Sequence, residues 1–158
     1  MSEDIKEKIK GWLEEEKVFK EEVEDEKAEF HFAVEYPSGS GQSCEIIKLK
    51  DKDIFIIGSR IVLSEEHFKA IHSMQKSQKD SLLWQVRFDL LFREPEFRII
   101  PSVEEFKSIE FTDNLYLEEI TLPVLMGKLK EIFRCKLYII WRLTQLISSA
   151  DENSGLYQ

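Results

Sequence analysis

Residues that cross-link the chain or interrupt regular structure are scarce in this sequence. There are two cysteines, Cys44 and Cys135, beside six glycines and four prolines in 158 residues. Two cysteines so far apart form neither a disulfide framework nor the clustered ligands of a zinc site. Both fall in stretches predicted as strand or helix, so we expect them to be buried as small hydrophobic side chains.

The sequence also lacks an excess of positive charge. Its 22 lysines and arginines are outnumbered by 31 acidic residues, which gives a net charge of −9. That sign argues against non-specific binding to nucleic acid or to an anionic membrane, because both need a basic surface. The charge is uneven: residues 1–29 carry twelve acidic and six basic side chains, and residues 122–147 carry five basic and one acidic. Either these are two solvated faces, or the acidic end of one copy meets the basic helix of another.

No apolar run is long enough to suggest a membrane span. The most apolar stretch, residues 132–147, is interrupted by Arg134, Lys136 and Arg142. It is also shorter than the ~20 residues that a bilayer requires. The sequence shows neither a signal peptide nor a targeting segment. We therefore expect a cytoplasmic protein.

The periodicity of apolar residues predicts an α+β fold. Strands are predicted at residues 18–23, 28–36, 44–50, 53–63, 97–100 and 108–111, the first of them weak, acidic and at a sheet edge. Helices are predicted from residue 2, from Ser64, over 80–93 with Asp80 as N-cap, and from 121 to about 147. The expected order is α-β-β-β-α(α)-β-β-α, one domain over residues 1–150 with an antiparallel sheet of about five strands packed with helices. Residues 151–158 are predicted to be a disordered polar tail.

The segment of residues 80–93 predicts a helix with two apolar sides. At about 100° per residue, its apolar side chains fall into two sets. The sets are Leu82, Leu83, Val86 and Leu90 on one side, and Trp84, Phe88, Leu91 and Phe92 on the other. A surface helix normally has one apolar stripe, so a helix with two has something packed on both sides. One side is expected against the chain's own sheet, and the other against a second helix or a second chain.

The last predicted helix carries a mixed face opposite its core stripe. The core stripe is Leu125, Leu129, Ile132, Phe133, Ile139, Ile140, Leu143 and Ile147, and the opposite face is Lys130, Arg134, Leu137, Tyr138, Trp141 and Gln145. Tryptophan and tyrosine beside arginine are enriched at protein interfaces. Another element of the same chain could equally cover them. The predicted interface residues are Trp84, Phe88, Arg134, Leu137, Tyr138 and Trp141.

Three stretches resemble a small, uncharacterised and mainly archaeal protein family. They are residues 30–37 (Phe-His-Phe-x-Val-Glu-x-Pro), 58–67 (Gly-Ser-Arg-Ile-Val-Leu-Ser-Glu-Glu-His) and 83–91 (Leu-Trp-x-Val-Arg-Phe-Asp-Leu-Leu). The resemblance covers nearly the whole chain, residues 5–147, and implies no activity and no catalytic residue. The order of elements is also similar to that of the specialised chaperones of bacterial type III secretion, which are dimers that hold extended segments of a client protein. This second likeness concerns the fold, which does not fix function.

No set of residues predicts an active site, a cofactor or a metal centre. His67 and His72 are five apart on one helix, which places them about 140° apart rather than on the shared face that a metal needs. His31 alternates with the apolar residues of its strand and is expected to be a packed or pH-sensitive surface histidine. The loop of residues 38–41, Ser-Gly-Ser-Gly, precedes a strand, whereas a phosphate-binding loop precedes a helix. The acidic runs lack the Asp-x-Asp-x-Asp-Gly pattern of a calcium loop.

Three functions of different classes are compatible with these features. The favoured one is a non-catalytic homodimer that binds a protein or peptide client in a chaperone-like way, because the apolar helix faces exceed what one chain covers. An enzyme is the alternative, with an active site assembled from dispersed polar residues that motifs do not reveal. A nucleic-acid binder that uses Tyr138 and Trp141 on the basic last helix is disfavoured by the net charge. We expect no cofactor, no nucleic-acid partner and no membrane partner.

Overall fold

The structure is a computed structural model that describes the backbone of residues 2–156 and the side chains of residues 4–148. In chain order its elements are α1 (Ser2–Glu15), β1 (Phe19–Glu22), β2 (Ala28–Glu35), β3 (Ser43–Leu49), β4 (Ile54–Val62), α2 (Glu65–His72), α3 (Lys76–Leu91), β5 (Glu96–Ile100), β6 (Ser108–Tyr116) and α4 (Leu122–Leu156). A single 3-10 turn, Leu117–Glu119, leads from β6 towards α4.

The strands form a six-stranded open sheet in the order β1-β2-β3-β4-β6-β5. Neighbours from β1 to β4 pair antiparallel, with Val34 opposite Cys44 and Ile46 opposite Ile57. The predicted α+β class and antiparallel sheet are therefore confirmed. The sheet has six strands where about five were expected, and the weak acidic segment forms the edge strand β1. A short, charged edge strand discourages pairing with other chains.

The chain divides into two compact units. Unit 1 comprises Met1–Ser59 and Phe111–Phe133, and unit 2 comprises Arg60–Glu110 and Arg134–Gln158. Strands β4 and β6 and helix α4 contribute residues to both units. The single domain expected over residues 1–150 stays a prediction.

The core of unit 1 lies on one face of its strands. Phe30 and Phe32 of β2 are buried there, with ring centroids 4.8 Å apart. Phe55 of β4 lies 6.1 Å from Phe30, and helix α1 adds the buried Ile9 and Leu13. Because side chains alternate across a strand, every second residue enters this core and its neighbours face the other way. That second face carries the half-buried polar side chains of β2 and β3.

Unit 2 is built on apolar helix sides. The apolar side chains buried there include Ile71 of α2, Leu83, Val86 and Leu90 of α3, Phe106, Ile109 of β6, and Cys135, Ile139 and Leu143 of α4. The three from α3 belong to one of the two apolar sides that the sequence predicts for this helix. Full burial of such a side chain stabilises a fold by about 1.5–3 kcal/mol. This is the side of α3 that holds unit 2 together.

Helix α2 begins as predicted, whereas α3 begins earlier. The Ser64 side chain accepts a hydrogen bond from the His67 backbone N–H at 3.1 Å and caps α2. Asp80 does not cap α3, because that helix starts at Lys76 and the Lys76 ammonium pairs with the Asp80 carboxylate at 3.4 Å, one turn away. The first turn of α3 is polar and exposed. It therefore lacks the apolar periodicity from which a helix start is predicted.

Helix α4 is longer than expected and ends at Leu156 rather than near residue 147. The predicted disordered tail, residues 151–158, lies outside the residues whose side chains are described, and its disorder stays a prediction. Charged residues recur along the apolar part of α4. Among the helices of residues 2–156, none combines the length and the hydrophobicity that a membrane span requires.

Gly58 in β4 marks a close approach between strands. A Cβ at this position would stand 3.3 Å from the Phe111 carbonyl oxygen and 3.5 Å from Thr112 Cγ2. That oxygen belongs to a strand backbone, so it cannot swing aside as a flexible side chain would. We expect Gly58→Val to lower the free energy of unfolding by about 1–3 kcal/mol, the range for an overpacked interior.

The matched control is Gly127→Ala in α4, because nothing lies within 4 Å of the Cβ that this change adds. Helix propensity predicts that it stabilises the protein by up to about 1 kcal/mol. Urea unfolding followed by circular dichroism measures both variants. A Gly58→Val protein as stable as the parent would show that the two strands separate without strain.

Candidate functional site

Large apolar side chains of α3 and of its C-cap residue face solvent. Trp84, Phe88, Leu91 and Phe92 are 52%, 57%, 60% and 88% exposed. Their spacing of i, i+4, i+7 and i+8 is that of one helical stripe. The stripe lies opposite the buried side of α3. The second apolar side that the sequence predicts is thus present, and it is open in the described part of unit 2.

The Trp84 indole is held in one orientation by its neighbours on the helix. The Arg87 guanidinium carbon lies 3.7 Å from the indole centroid, and Arg87 Nε donates to the Leu83 carbonyl oxygen at 3.1 Å. The Phe88 ring stacks beside the indole, with 5.6 Å between centroids and 26° between planes. A cation over a ring face and a stacked ring pair each stabilise by about 1 kcal/mol. A side chain that is fixed in advance loses less entropy on binding than a mobile one.

A polar cluster joins α3 to α4 beside this stripe. The Tyr138 hydroxyl donates to Asp89 Oδ2, and the Gln85 side-chain amide donates to Asp89 Oδ1 at 2.8 Å. Arg142 Nη2 donates to Asp89 Oδ2 at 3.3 Å, and Arg142 Nε donates to the Tyr138 oxygen at 3.3 Å. One carboxylate therefore accepts from three side chains on two helices.

These contacts shift the pKa values of the cluster in consistent directions. The hydrogen bond from Tyr138 lowers the pKa of Asp89, and those from Gln85 and Arg142 lower it further against the opposing effect of burial. Burial raises the pKa of Tyr138, and its bond to the Asp89 carboxylate raises it too. The hydrogen bond to Tyr138 raises the pKa of Arg142. At neutral pH the cluster thus contains a carboxylate, a neutral phenol and a guanidinium.

Exposed aromatic residues are present on both α3 and α4 in unit 2. The two helices run antiparallel there, because Tyr138 contacts Asp89 while Arg142, one turn further along α4, lines a groove with the earlier Ser81 of α3. Trp141 is 65% exposed and points away from the buried stripe of α4. We call these exposed apolar residues of unit 2 the aromatic face, and they are Trp84, Phe88, Leu91, Phe92 and Trp141.

The six predicted interface residues all belong to unit 2 and differ in exposure. Trp84, Phe88, Arg134 and Trp141 are exposed, whereas Leu137 and Tyr138 are half-buried. The Tyr138 hydroxyl donates a hydrogen bond to Asp89, so Tyr138 links α4 to α3. Sequence reasoning missed Asp89 and Arg142 as members of this site. The sequence feature that could have identified Asp89 is its position between the two apolar stripes of one helix.

The basic character of α4 is largely neutralised within the chain. Lys128 pairs with Asp113 at 3.1 Å, Arg142 belongs to the Asp89 cluster, and Lys136 is 4% exposed. Two exposed cations do not make the extended basic surface that a phosphate backbone requires. In the stretch of α4 predicted to be basic, the exposed ones are Lys130 and Arg134.

Histidines occupy separate surroundings in the two units. His72 Nε2 lies 2.8 Å from the Phe106 carbonyl oxygen in unit 2. In unit 1, His31 Nδ1 lies 3.1 Å from Asp25 Oδ2, and His31 Nε2 contacts Glu45 Oε2. The two carboxylates meet opposite ring nitrogens, so the three groups do not converge on one point. Within residues 4–148, no group of three or more histidine, cysteine or acidic side chains is placed to hold a metal ion.

Unit 1 contains a groove of about 620 Å³ whose polar lining mixes lysines and acids, namely Glu29, Lys48, Lys50, Asp51, Lys52 and Asp53. Lys48 is 5% exposed, and its ammonium donates to the Leu49 carbonyl oxygen at 2.9 Å and to that of Lys52. It also lies 3.1 Å from Glu29 Oε2. All three donors of this ammonium are therefore engaged. A nucleophilic lysine needs a free amine, so the groove gives no support to covalent catalysis by Lys48.

Comparison with known proteins relates the chain to an uncharacterised family. The family described as "Uncharacterized conserved protein (DUF2299)" matches residues 5–143, and no curated protein matches. A crystal structure of an uncharacterized protein from Methanothermobacter thermautotrophicus is similar over 89% of this chain and 96% of its own, with 30% identity and a TM-score of 0.83. The E. coli protein YbjN, a proposed transcription regulator, aligns over 94% of this chain and 92% of its own at 11% identity and a TM-score of 0.42, which supports no argument. The likeness to secretion chaperones stays a prediction.

We expect the Asp89 cluster to stabilise unit 2 in a pH-dependent way. Tyr138→Phe should lower the free energy of unfolding by about 1 kcal/mol at neutral pH, a low value for a bond to a charged group because the Asp89 side chain is 35% exposed. The lowered pKa of Asp89 means that its contribution is present above the pKa of an unfolded aspartate, about 4, and is lost as the pH falls below it. The difference between Tyr138→Phe and the parent should shrink over the same range.

Urea unfolding at several pH values between neutral and acid measures this difference. Tyr116→Phe is the control, since Tyr116 is a 52% exposed tyrosine outside the cluster, and it should change little at any pH. An effect of Tyr138→Phe that stays constant as the pH is lowered would contradict the role given to Asp89.

Proposed function

This chain belongs to the DUF2299 family of uncharacterized conserved proteins, and we propose that it is a non-catalytic, homodimeric protein-binding module of chaperone-like type. The single observation that carries this proposal is the aromatic face of α3 and α4. Aromatic anchors flanked by arginine are the residues that dominate binding energy at protein interfaces. Trp84 has the further property of being fixed by Arg87 and Phe88 before any partner arrives.

The area of the aromatic face suits the centre of a protein interface. A whole aromatic side chain has an area of ~200 Å². Multiplied by the exposed fractions of the five residues, this gives roughly 600 Å² of apolar side-chain surface in solvent. The largest apolar patch on a typical monomer is about 300–600 Å². A standard interface buries ~800 Å² on each partner, with an apolar centre and a polar rim. The face supplies such a centre, and Arg87 and Arg134 supply charged groups at its edge.

A second copy of the chain is the partner that these features favour. With a two-fold axis, one patch covers the same patch on its copy, and no further complementary surface is needed. The Asp89 carboxylate between the two helices would become less accessible in such a dimer. Its hydrogen bonds from Tyr138, Gln85 and Arg142 are already made within the chain. This limits the penalty of covering a charge, which is severe only for an unpaired one.

A client protein would use the same chemistry. An amphipathic client helix with apolar anchors at i, i+3 or i+4, and i+7 fits an apolar helix face of this kind. Such a client would compete with the second copy for the aromatic face, which is the chaperone-like part of the proposal. We also propose a cytoplasmic location, which is consistent with the buried thiols of Cys44 and Cys135.

An enzyme is the second candidate, and the groove of unit 1 is where its site would lie. Clustered lysines and acids in one concave surface are the feature that favours it. The engagement of Lys48 with two carbonyl oxygens and Glu29 speaks against it. Lys52→Met changes another lysine in the lining of the groove and separates the two candidates, because it should lower any turnover found at the groove and leave binding at the aromatic face intact.

We expect the protein to sediment at about twice its chain mass of 18.7 kDa at micromolar concentration. Trp84→Ala should raise the dimer Kd about 30-fold, equivalent to the ~2 kcal/mol lost when an aromatic anchor is truncated. Because Trp84 is 52% exposed in the single chain, the same change should alter the unfolding of the monomer much less than it alters association. Sedimentation equilibrium and urea unfolding measure the two effects separately.

Tyr116→Ala is the matched control, because Tyr116 is equally exposed at 52% but belongs to unit 1. It should leave the dimer Kd unchanged.

Added salt distinguishes binding to nucleic acid from apolar self-association, since binding to phosphates weakens steeply with salt and apolar association does not. A protein that remains monomeric at high micromolar concentration would end the homodimer proposal.

A further inference from the structure

The second face of β2 in unit 1 carries a histidine between two carboxylates that the proposed function does not use. His31 Nδ1 lies 3.1 Å from Asp25 Oδ2, Nε2 contacts Glu45 Oε2, and the His31 side chain is 14% exposed. We propose that these three groups form a pH-sensitive latch that fastens the loop between β1 and β2 to the sheet. The latch is closed when His31 is protonated and loosens when the imidazole becomes neutral.

The fold brings the three groups together from separate elements. His31 alternates with the buried Phe30 and Phe32, so its ring stands on the face away from the core. On β3, Glu45 stands opposite Ala33, one diagonal step from His31. Asp25 lies in the loop, where its Oδ1 accepts from the Lys27 backbone N–H at 3.0 Å. The Asp25 side chain therefore links the loop to the strand through the ring.

The latch depends on pH because the number of N–H donors on the imidazole ring changes with its protonation. An imidazolium donates from both ring nitrogens and can serve both carboxylates, whereas a neutral imidazole has one donor and one acceptor. Loss of the proton leaves a ring lone pair directed at a carboxylate oxygen, which removes one hydrogen bond and adds repulsion. Asp25 remains charged throughout, because the bond from the Lys27 backbone lowers its pKa and the bond from His31 lowers it further. Among side-chain types, histidine is the one whose charge changes between about pH 5 and 8.

The loop depends on the latch because little else fastens it. The backbone bonds that tie its two ends are Val23 N–H to the His31 carbonyl oxygen at 2.8 Å, and Ala28 N–H to the Asp25 carbonyl oxygen at 3.2 Å. The adjoining β1 has four residues, of which three are exposed. Regions with few buried contacts and exposed backbone bonds open locally at small free energy. The ring contacts Asp25 of the loop and Glu45 of β3. Lys27 lies two residues from Asp25, Glu21 of β1 stands opposite Ala33, and Glu29 of β2 is paired with Lys48.

Hydrogen exchange of the full-length protein tests the latch directly. Protection factors of the Val23 and Ala28 amides, corrected for the intrinsic effect of pH, are compared at about pH 5 and about pH 8, on either side of the histidine range. We expect protection to fall about five- to tenfold at the higher pH, as for loss of one hydrogen bond at a partly exposed site. NMR spectra of the His31 ring measure its protonation directly, and the fall in protection should follow the loss of the ring proton.

Two variants isolate the ring and its partner. In His31→Gln the side chain does not titrate, so protection should be the same at both pH values. In Glu45→Gln the amide can accept from the protonated ring or donate to the neutral ring, so the fall in protection should nearly vanish. His67→Gln and His72→Gln are controls that should keep the parental fall. Equal protection of the parent at both pH values, or an undiminished fall in His31→Gln, would overturn the proposal.

Discussion

The Asp89 carboxylate is the contact on which the arrangement of unit 2 depends. It accepts from Tyr138 and Arg142 of α4 and from Gln85 of its own helix. Apolar packing alone holds two helices together but tolerates rotation about their axes. A carboxylate with donors on both helices fixes that rotation, because charge-assisted bonds are directional and costly to leave unmade. The orientation of α4 beside α3 in unit 2 therefore depends on this one link.

Several basic side chains of this protein form ion pairs with acidic side chains of the same chain. Cations that make α4 basic in the sequence are matched within the chain, Lys128 by Asp113 and Arg142 by Asp89, and Lys48 in unit 1 is matched by Glu29. Counting basic residues therefore overestimates the positive surface of this protein. The exposed groups that distinguish the surface of unit 2 are aromatic, which is why the proposed function concerns proteins rather than phosphates.

Features set by local periodicity could be predicted from the sequence, and features set by distant contacts could not. The two apolar sides of α3 follow from a repeat of 3.6 residues, and the structure buries Leu83 and exposes Trp84 as that repeat requires. The Asp89 cluster joins residues 49 and 53 positions apart, and no local pattern reports which helices will be neighbours. The surroundings of His31 were equally hidden, since Asp25 reaches the ring only through the conformation of a loop. The start of α3 was misplaced because its first turn is polar and exposed, so that Asp80 looked like a cap.

One side of α3 stabilises the fold, and the other side is proposed to bind a partner. Substitutions on the exposed side can therefore test binding without unfolding the protein. Leu83, Val86 and Leu90 are at most 5% exposed and hold unit 2 together, so truncating them would unfold the site along with the protein. Trp84 and Phe88 are more than half exposed on the same helix, and they contribute little to the burial that stabilises the single chain. Burial within the single chain does not account for two large aromatic rings in water, one of them with an arginine over its face. A protein surface that covers the exposed side of α3, as proposed above, would account for them.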